Sequence, residues 1–207
     1  MLRQVLSAVR IGLALALLLH TALASAAEPI EAVWKPQRIT FVYSGHTTHY
    51  TCHTLEQKLK SVLKTLGAHE DMAIDRTSCS DFTGARLHVE FRSPVAASIE
   101  NIRLITTYDA EEVLAARLKN QTLPSAEDLP RFWAVYRDVS FARDRQLKMT
   151  AADCEFVDHV RRQLLPTLDV QVVTNRIFCT PGYPNITPPR LLVSVLLPTQ
   201  DSLASTR

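Results

Sequence analysis

Apolar residues at positions 55, 59, 62, 63 and 66 recur at the spacing of one face of a helix, and Lys58, Lys60 and Lys64 fall on the other side. Thr54 with Gln57 offers a capping box at its start, and Gly67 stands where a helix stop favours left-handed backbone. A second stripe follows Cys154 through Val157, Leu164, Leu165 and Leu168, with Asp153 placed to cap it and Pro166 to end it near Leu165. Segments 72–77, 86–91, 170–177 and 190–197 are short and rich in β-branched or aliphatic residues, which predicts strands. Between the two halves, residues 102–106 alternate like a strand. Residues 110–119 read as a helix capped by Asp109, and 121–130, with Pro124, Ser125 and Pro130, as loop.

These patterns occur twice in the same order. Ala32-Val33-Trp34-Lys35, then Ile39-Thr40-Phe41, matches Ala134-Val135-Tyr136-Arg137, then Val139-Ser140-Phe141. Cys52 and Cys154 each precede a helical stripe, and four of the five apolar stripe positions coincide. Asp75-Arg76-Thr77-Ser78-Cys79 answers Asn175-Arg176-Ile177-Phe178-Cys179, and Arg86-Leu87-His88-Val89 answers Arg190-Leu191-Leu192-Val193. Repetition at this length predicts an α+β fold of two duplicated strand-helix-strand-strand units. The units cover residues 28–95 and 132–199, a connector 96–131 contributes a strand and a helix, and 200–207 form a flexible tail.

The first 27 residues stand apart. Arg3 and Arg10 precede or flank an unbroken apolar run over 11–19, and Ala24-Ser25-Ala26-Ala27 supplies small residues before Glu28, the layout of a cleaved secretory signal peptide. A bilayer span takes about 20 apolar residues, and His20 ends this run early, so no stable membrane insertion is expected. The leader carries two arginines and no acid, which leaves 21 Lys+Arg against 21 Asp+Glu in the rest. With no net charge and no basic cluster longer than Arg161-Arg162, nucleic acid is not an expected partner.

An even number of cysteines in an exported chain favours disulfides. Of the three possible pairings, the duplication favours Cys52 with Cys79 and Cys154 with Cys179. A unit of about 60 residues is marginal alone, so a staple in each has a physical purpose. Candidate chemistry is sparse. His46, His49 and His53 lie within eight residues and could converge on copper, nickel or zinc, although the matching stretch of the second half has no histidine. Arg76 and Arg176, each three residues before a second cysteine, could grip a carboxylate or phosphate, or serve as salt-bridge and packing stems. Trp34, Phe132, Trp133 and Tyr136 are expected in the core. There is no nucleophile elbow, no Walker loop, no His-Glu-x-x-His helix and no dinucleotide fingerprint, and no cofactor is implied. Asp71, Asp75 and Glu90 would be the acids of an enzyme built on scattered residues.

The pattern Ala32-Val33-Trp34-Lys35, Phe41 and Tyr50-Thr51-Cys52, with a second half opening Phe132-Trp133-Ala134-Val135-Tyr136-Arg137, resembles uncharacterised secreted proteins of Gram-negative bacteria. The resemblance implies a periplasmic or secreted location and carries no activity with it. The expectation is therefore a non-catalytic binding or accessory protein of the envelope, acting on an unknown envelope or extracellular ligand or protein. A histidine-loop metal binder and a cryptic hydrolase are the alternatives.

Overall fold

In the computed structural model, which describes residues 27–80, 84–180, 182–183 and 185–200, residues 1–26 of the expected leader and 201–207 of the expected tail lie outside the described residues. Strand β1 (Ile30–Tyr43) pairs antiparallel with β3 (Gly84–Ala96), and β3 with β2 (Ala73–Ser80). In the second half β4 (Arg131–Ser140) pairs with β6 (Arg190–Pro198), and β6 with β5 (Val170–Arg176). Ile30–Val33 pairs with Arg131–Ala134 to fuse both halves into one six-stranded antiparallel sheet, ordered β2-β3-β1-β4-β6-β5. The order reads the same from either edge. Its centre is the Glu31–Trp133 pair, flanked by Ile30 opposite Ala134 and Ala32 opposite Phe132.

Alternation along the strands sends one set of side chains to a helical layer. Helices α1 (Cys52–Thr65) and α4 (Cys154–Gln163) lay Leu55, Leu59, Leu63, Phe156, Val157 and Val160 on Phe41, Leu87, Val89, Phe141, Leu191 and Val193, all buried. Each such side chain contributes about 1.5–3 kcal/mol when fully withdrawn from water. The two halves thus share one core. On the opposite face a smaller cluster of Ala32, Phe132, Ala134 and Leu196 covers the seam, with Ile30 and Trp34 against it.

The disulfides join Cys52 to Cys79 and Cys154 to Cys179, the pairing expected, with Cα separations of 5.9 and 5.6 Å. Each ties the first residue of a helix to the end of the strand that follows it, or just beyond. Gly67, past the end of α1, has φ +84°, and a Cβ there would lie 2.9 Å from Leu197 Cδ2. Glycine at this position lets the helix end approach β6 of the other half. Helix α4 stops at Gln163, before a 3-10 turn that holds Pro166.

Three local expectations are corrected. Residues 102–106 form no strand; 102–105 belong to helix α2 (Ile99–Ile105), which Thr106 ends and whose cap Ser98 accepts the Asn101 N–H at 3.2 Å. The five-residue alternation there is a fragment of the three-residue spacing Ile99, Ile102, Ile105. Thr51, one residue before α1, is its cap in place of Thr54, and accepts the Thr54 N–H. Asp153 does not cap α4, because its carboxylate accepts the N–H and hydroxyl of Thr150 and faces Tyr50 and Lys58. Helix α3 (Ala110–Leu118) has the Asp109 cap expected, completed by Glu112.

Edge strands β2 and β5 each carry one irregularity, between Arg76 and Ser78 and between Val172 and Thr174. The first falls after Arg76 and the second well before Arg176, so the two arginines do not share a ladder position. Arg76 stands opposite Leu87, whereas Arg176 stands opposite Arg190.

A carboxylate fastens the loop before α1 to the second half. Glu155 in the first turn of α4 accepts the backbone N–H groups of His46, Thr47 and Thr48, and the Thr47 hydroxyl. Burial pushes its carboxyl up, but these hydrogen bonds outweigh that and hold it below the usual range. Asp153 follows the same balance, with burial overcome by Lys58, Tyr50 and Thr150. Groups whose folded pKa is depressed stabilise the fold above their unfolded pKa, about 4, and lose that contribution as pH falls through the folded value. Thermal unfolding followed from pH 7 downward is therefore expected to show a stability loss beginning near pH 5 and steepening below 4. Glu155→Gln should flatten that decline, and an unchanged profile would refute the assignment.

Candidate functional site

A cleft of about 470 Å³ opens where the end of α1 meets the seam. Its apolar wall is Trp34, Gly67, Ala68, Leu197 and Pro198, and its polar rim is Lys64, His69, Glu70 and Gln146. Both halves contribute, since the β1–β4 pairing and the shared core bring Gln146 and Leu197 to Trp34. Trp34 is held in place by its neighbours: it stacks on Phe132 at 4.5 Å between centroids and meets the His69 ring edge-on at 4.9 Å. Gln146 is fixed through its carbonyl, which accepts the Ser61 hydroxyl at 3.0 Å.

His69 is positioned by its own backbone, whose N–H donates to the Arg92 carbonyl at 2.9 Å. Its Nδ1 lies 2.5 Å from Asp71, and the Arg92 guanidinium bonds Asp71 and lies against the imidazole. Burial pushes the Asp71 carboxyl up, yet Arg92 and His69 outweigh it and keep the group below the ordinary carboxylate range. Beyond this trio lies a second hollow of about 370 Å³, lined by Pro36, Arg38, Glu90, Arg92 and Glu112 among others. There Arg38 and His88 hold Glu90 below its usual range as well. Asp71 and Glu90 are thus fixed charges, each committed to an arginine, whereas a general acid needs a pKa near its working pH. Asp75 stands opposite His88, the histidine that meets Glu90, in the β2–β3 ladder. In the cleft itself the Thr65 hydroxyl donates to the Ser61 carbonyl at 2.9 Å, so it is engaged within its helix.

His46, His49 and His53 are exposed and are not brought together; among the described residues no group of three or more His, Cys, Asp or Glu is arranged to hold a metal ion. His46 instead gives its backbone N–H to Glu155. Arg76 forms a two-point ion pair with Glu56 of α1, at 3.0 and 2.7 Å. The matching acid of the second half, Asp158, is taken by Arg161 and Arg162, and Arg176 lines a recess at the far end of the sheet. Phe132 is buried as expected, but Trp133 and Tyr136 are exposed, because no helix covers their part of β4. The residues that sequence reading missed are His69, Gln146 and the partial exposure of Trp34. The one available signal was the small pair Gly67-Ala68 followed by a histidine. Compared with family models, with curated proteins and with solved structures, the chain matches none of them, and the cleft must be read from its own chemistry.

Proposed function

We propose that the protein is an exported binding or accessory protein of a bacterial envelope, periplasmic or secreted, whose cleft holds a small ligand with a flat apolar body and a polar end. The observation that carries this reading is the 470 Å³ cleft with a fixed tryptophan on one side and Lys64, His69 and Gln146 on the other. Concave sites of this size, mostly apolar with a few placed polar groups, are the usual form of a small-molecule pocket. The two disulfides suit an oxidising compartment, and among the described residues no helix is long and apolar enough to cross a membrane. Asp71 and Glu90, held by arginines as permanent charges, favour recognition over proton transfer.

A panel of aromatic carboxylates, titrated against the mature chain by heteronuclear NMR, is expected to shift the amide signals of residues 67–70 and 197. Ala68→Trp, which fills the cleft, should abolish those shifts while leaving the melting temperature within a few degrees. Shifts that persist in the filled variant, or that map elsewhere, would defeat the reading.

A further inference from the structure

The end of the second half carries an exposed apolar surface beside two arginines. Residues 177–189 contain no charged side chain, yet Phe178, Tyr183 and Ile186 are 84, 69 and 96% exposed. Described residues of this segment are held at three points. Cys179 fastens it to α4, the Thr180 N–H donates to Asn185 Oδ1, and the Gly182 N–H donates to Thr47 Oγ1. Soluble surfaces rarely keep three large apolar side chains so exposed over so short a segment without a contact to make.

At the base of this loop Arg176 and Arg190 stand directly opposite each other on paired strands, and both are exposed. Like charges facing one another in an antiparallel pair are destabilising. Among the described residues no acid is paired with either guanidinium. The first half avoids the arrangement, since its counterpart of Arg190, Arg86, faces Ser78. A recess of about 220 Å³ lies beside the two arginines, walled by Phe178, Thr187, Pro188 and Pro189. Two forked cations lining a small hollow suit a phosphate group.

We infer that this end of the protein is a peripheral docking site for anionic lipid. Arg176 and Arg190 take the headgroup phosphate, and Phe178, Tyr183 and Ile186 enter the interface beside it. An apolar tip with a basic collar is the combination that holds a protein on a charged bilayer surface without spanning it. Tyrosine suits the headgroup level, where its ring is half apolar. This surface lies apart from the cleft, and it stands or falls independently of that ligand.

Co-sedimentation of the mature, disulfide-bonded protein with phosphatidylethanolamine vesicles, with and without phosphatidylglycerol, tests the inference. Binding is expected only with phosphatidylglycerol, and it should weaken as salt is raised. Arg176→Gln with Arg190→Gln should lower the partition coefficient roughly tenfold or more. Phe178→Ser with Ile186→Ser should abolish binding, and neither double variant should melt at a lower temperature, since all four side chains are exposed and the arginine pair loses its repulsion. Inorganic phosphate at millimolar concentration should not compete. Four results would overturn the site: no binding to anionic vesicles, equal binding by the variants, full competition by inorganic phosphate, which would make it a site for the free anion, or self-association by the wild type that the tip variant loses.

Discussion

Cys154→Ala with Cys179→Ala is expected to lower the unfolding free energy by about 3–5 kcal/mol, and Cys52→Ala with Cys79→Ala by somewhat less. The closed loops are nearly equal, with sequence separations of 25 and 27, so the chain-entropy contribution is about 3 kcal/mol for each. The difference comes from packing. Cys154 is fully buried beside the Phe156 turn of α4, and removing its sulfur leaves a void that the neighbouring side chains fill only in part. Because both halves feed one core, each variant should unfold in a single transition in urea, shifted as a whole. Two separated transitions, or equal midpoints for wild type and both variants, would contradict the shared core.

Asp153→Ala is expected to cost about 3 kcal/mol. Its carboxylate is 2% exposed and satisfies the Lys58 ammonium, the Tyr50 hydroxyl and the Thr150 N–H together, and all three lose their partner at once. Burial first, and then the neighbouring Asp153 carboxylate, push the Tyr50 hydroxyl far above the usual tyrosine range, so it remains a neutral donor throughout the physiological range. The stranded Lys58 is the largest part of the loss, since its side chain is mostly covered. Adding Lys58→Met should therefore recover part of the stability. Urea unfolding of the two single variants and the double variant measures the coupling directly, and simple additivity would show that Asp153 does not act through Lys58.

How far the structure could be read from sequence depended on whether the deciding information was local. The strands, helices α1 and α4 and both disulfides followed from patterns that occur twice, since the repetition favours one pairing of four cysteines. The connector was misread because five residues cannot separate a period of two from a helical spacing when Ile99 is left outside the window. The irregularities of β2 and β5 fall near Thr77 and Val173, residue types that carry no turn signal, so Arg76 and Arg176 looked equivalent when their ladder positions are not. The cleft was hidden for a different reason. Its walls come from positions 34, 67–70, 146 and 197, and nothing in the sequence reveals the four-residue seam that brings them together.

The irregular edge strands have a consequence for how the protein behaves at high concentration. A sheet with two free margins offers unpaired N–H and C=O groups that another copy can extend, the first step toward ordered aggregates. Here both margins, β2 and β5, are short, largely exposed and broken in mid-strand, while the longest strand, β1, lies inside the sheet. A break twists the margin and takes one residue out of the ladder. A neighbour arriving edge-on therefore meets at most three or four residues in register on either side of the break, too few to hold an added strand, and the sheet ends where its own chain ends it.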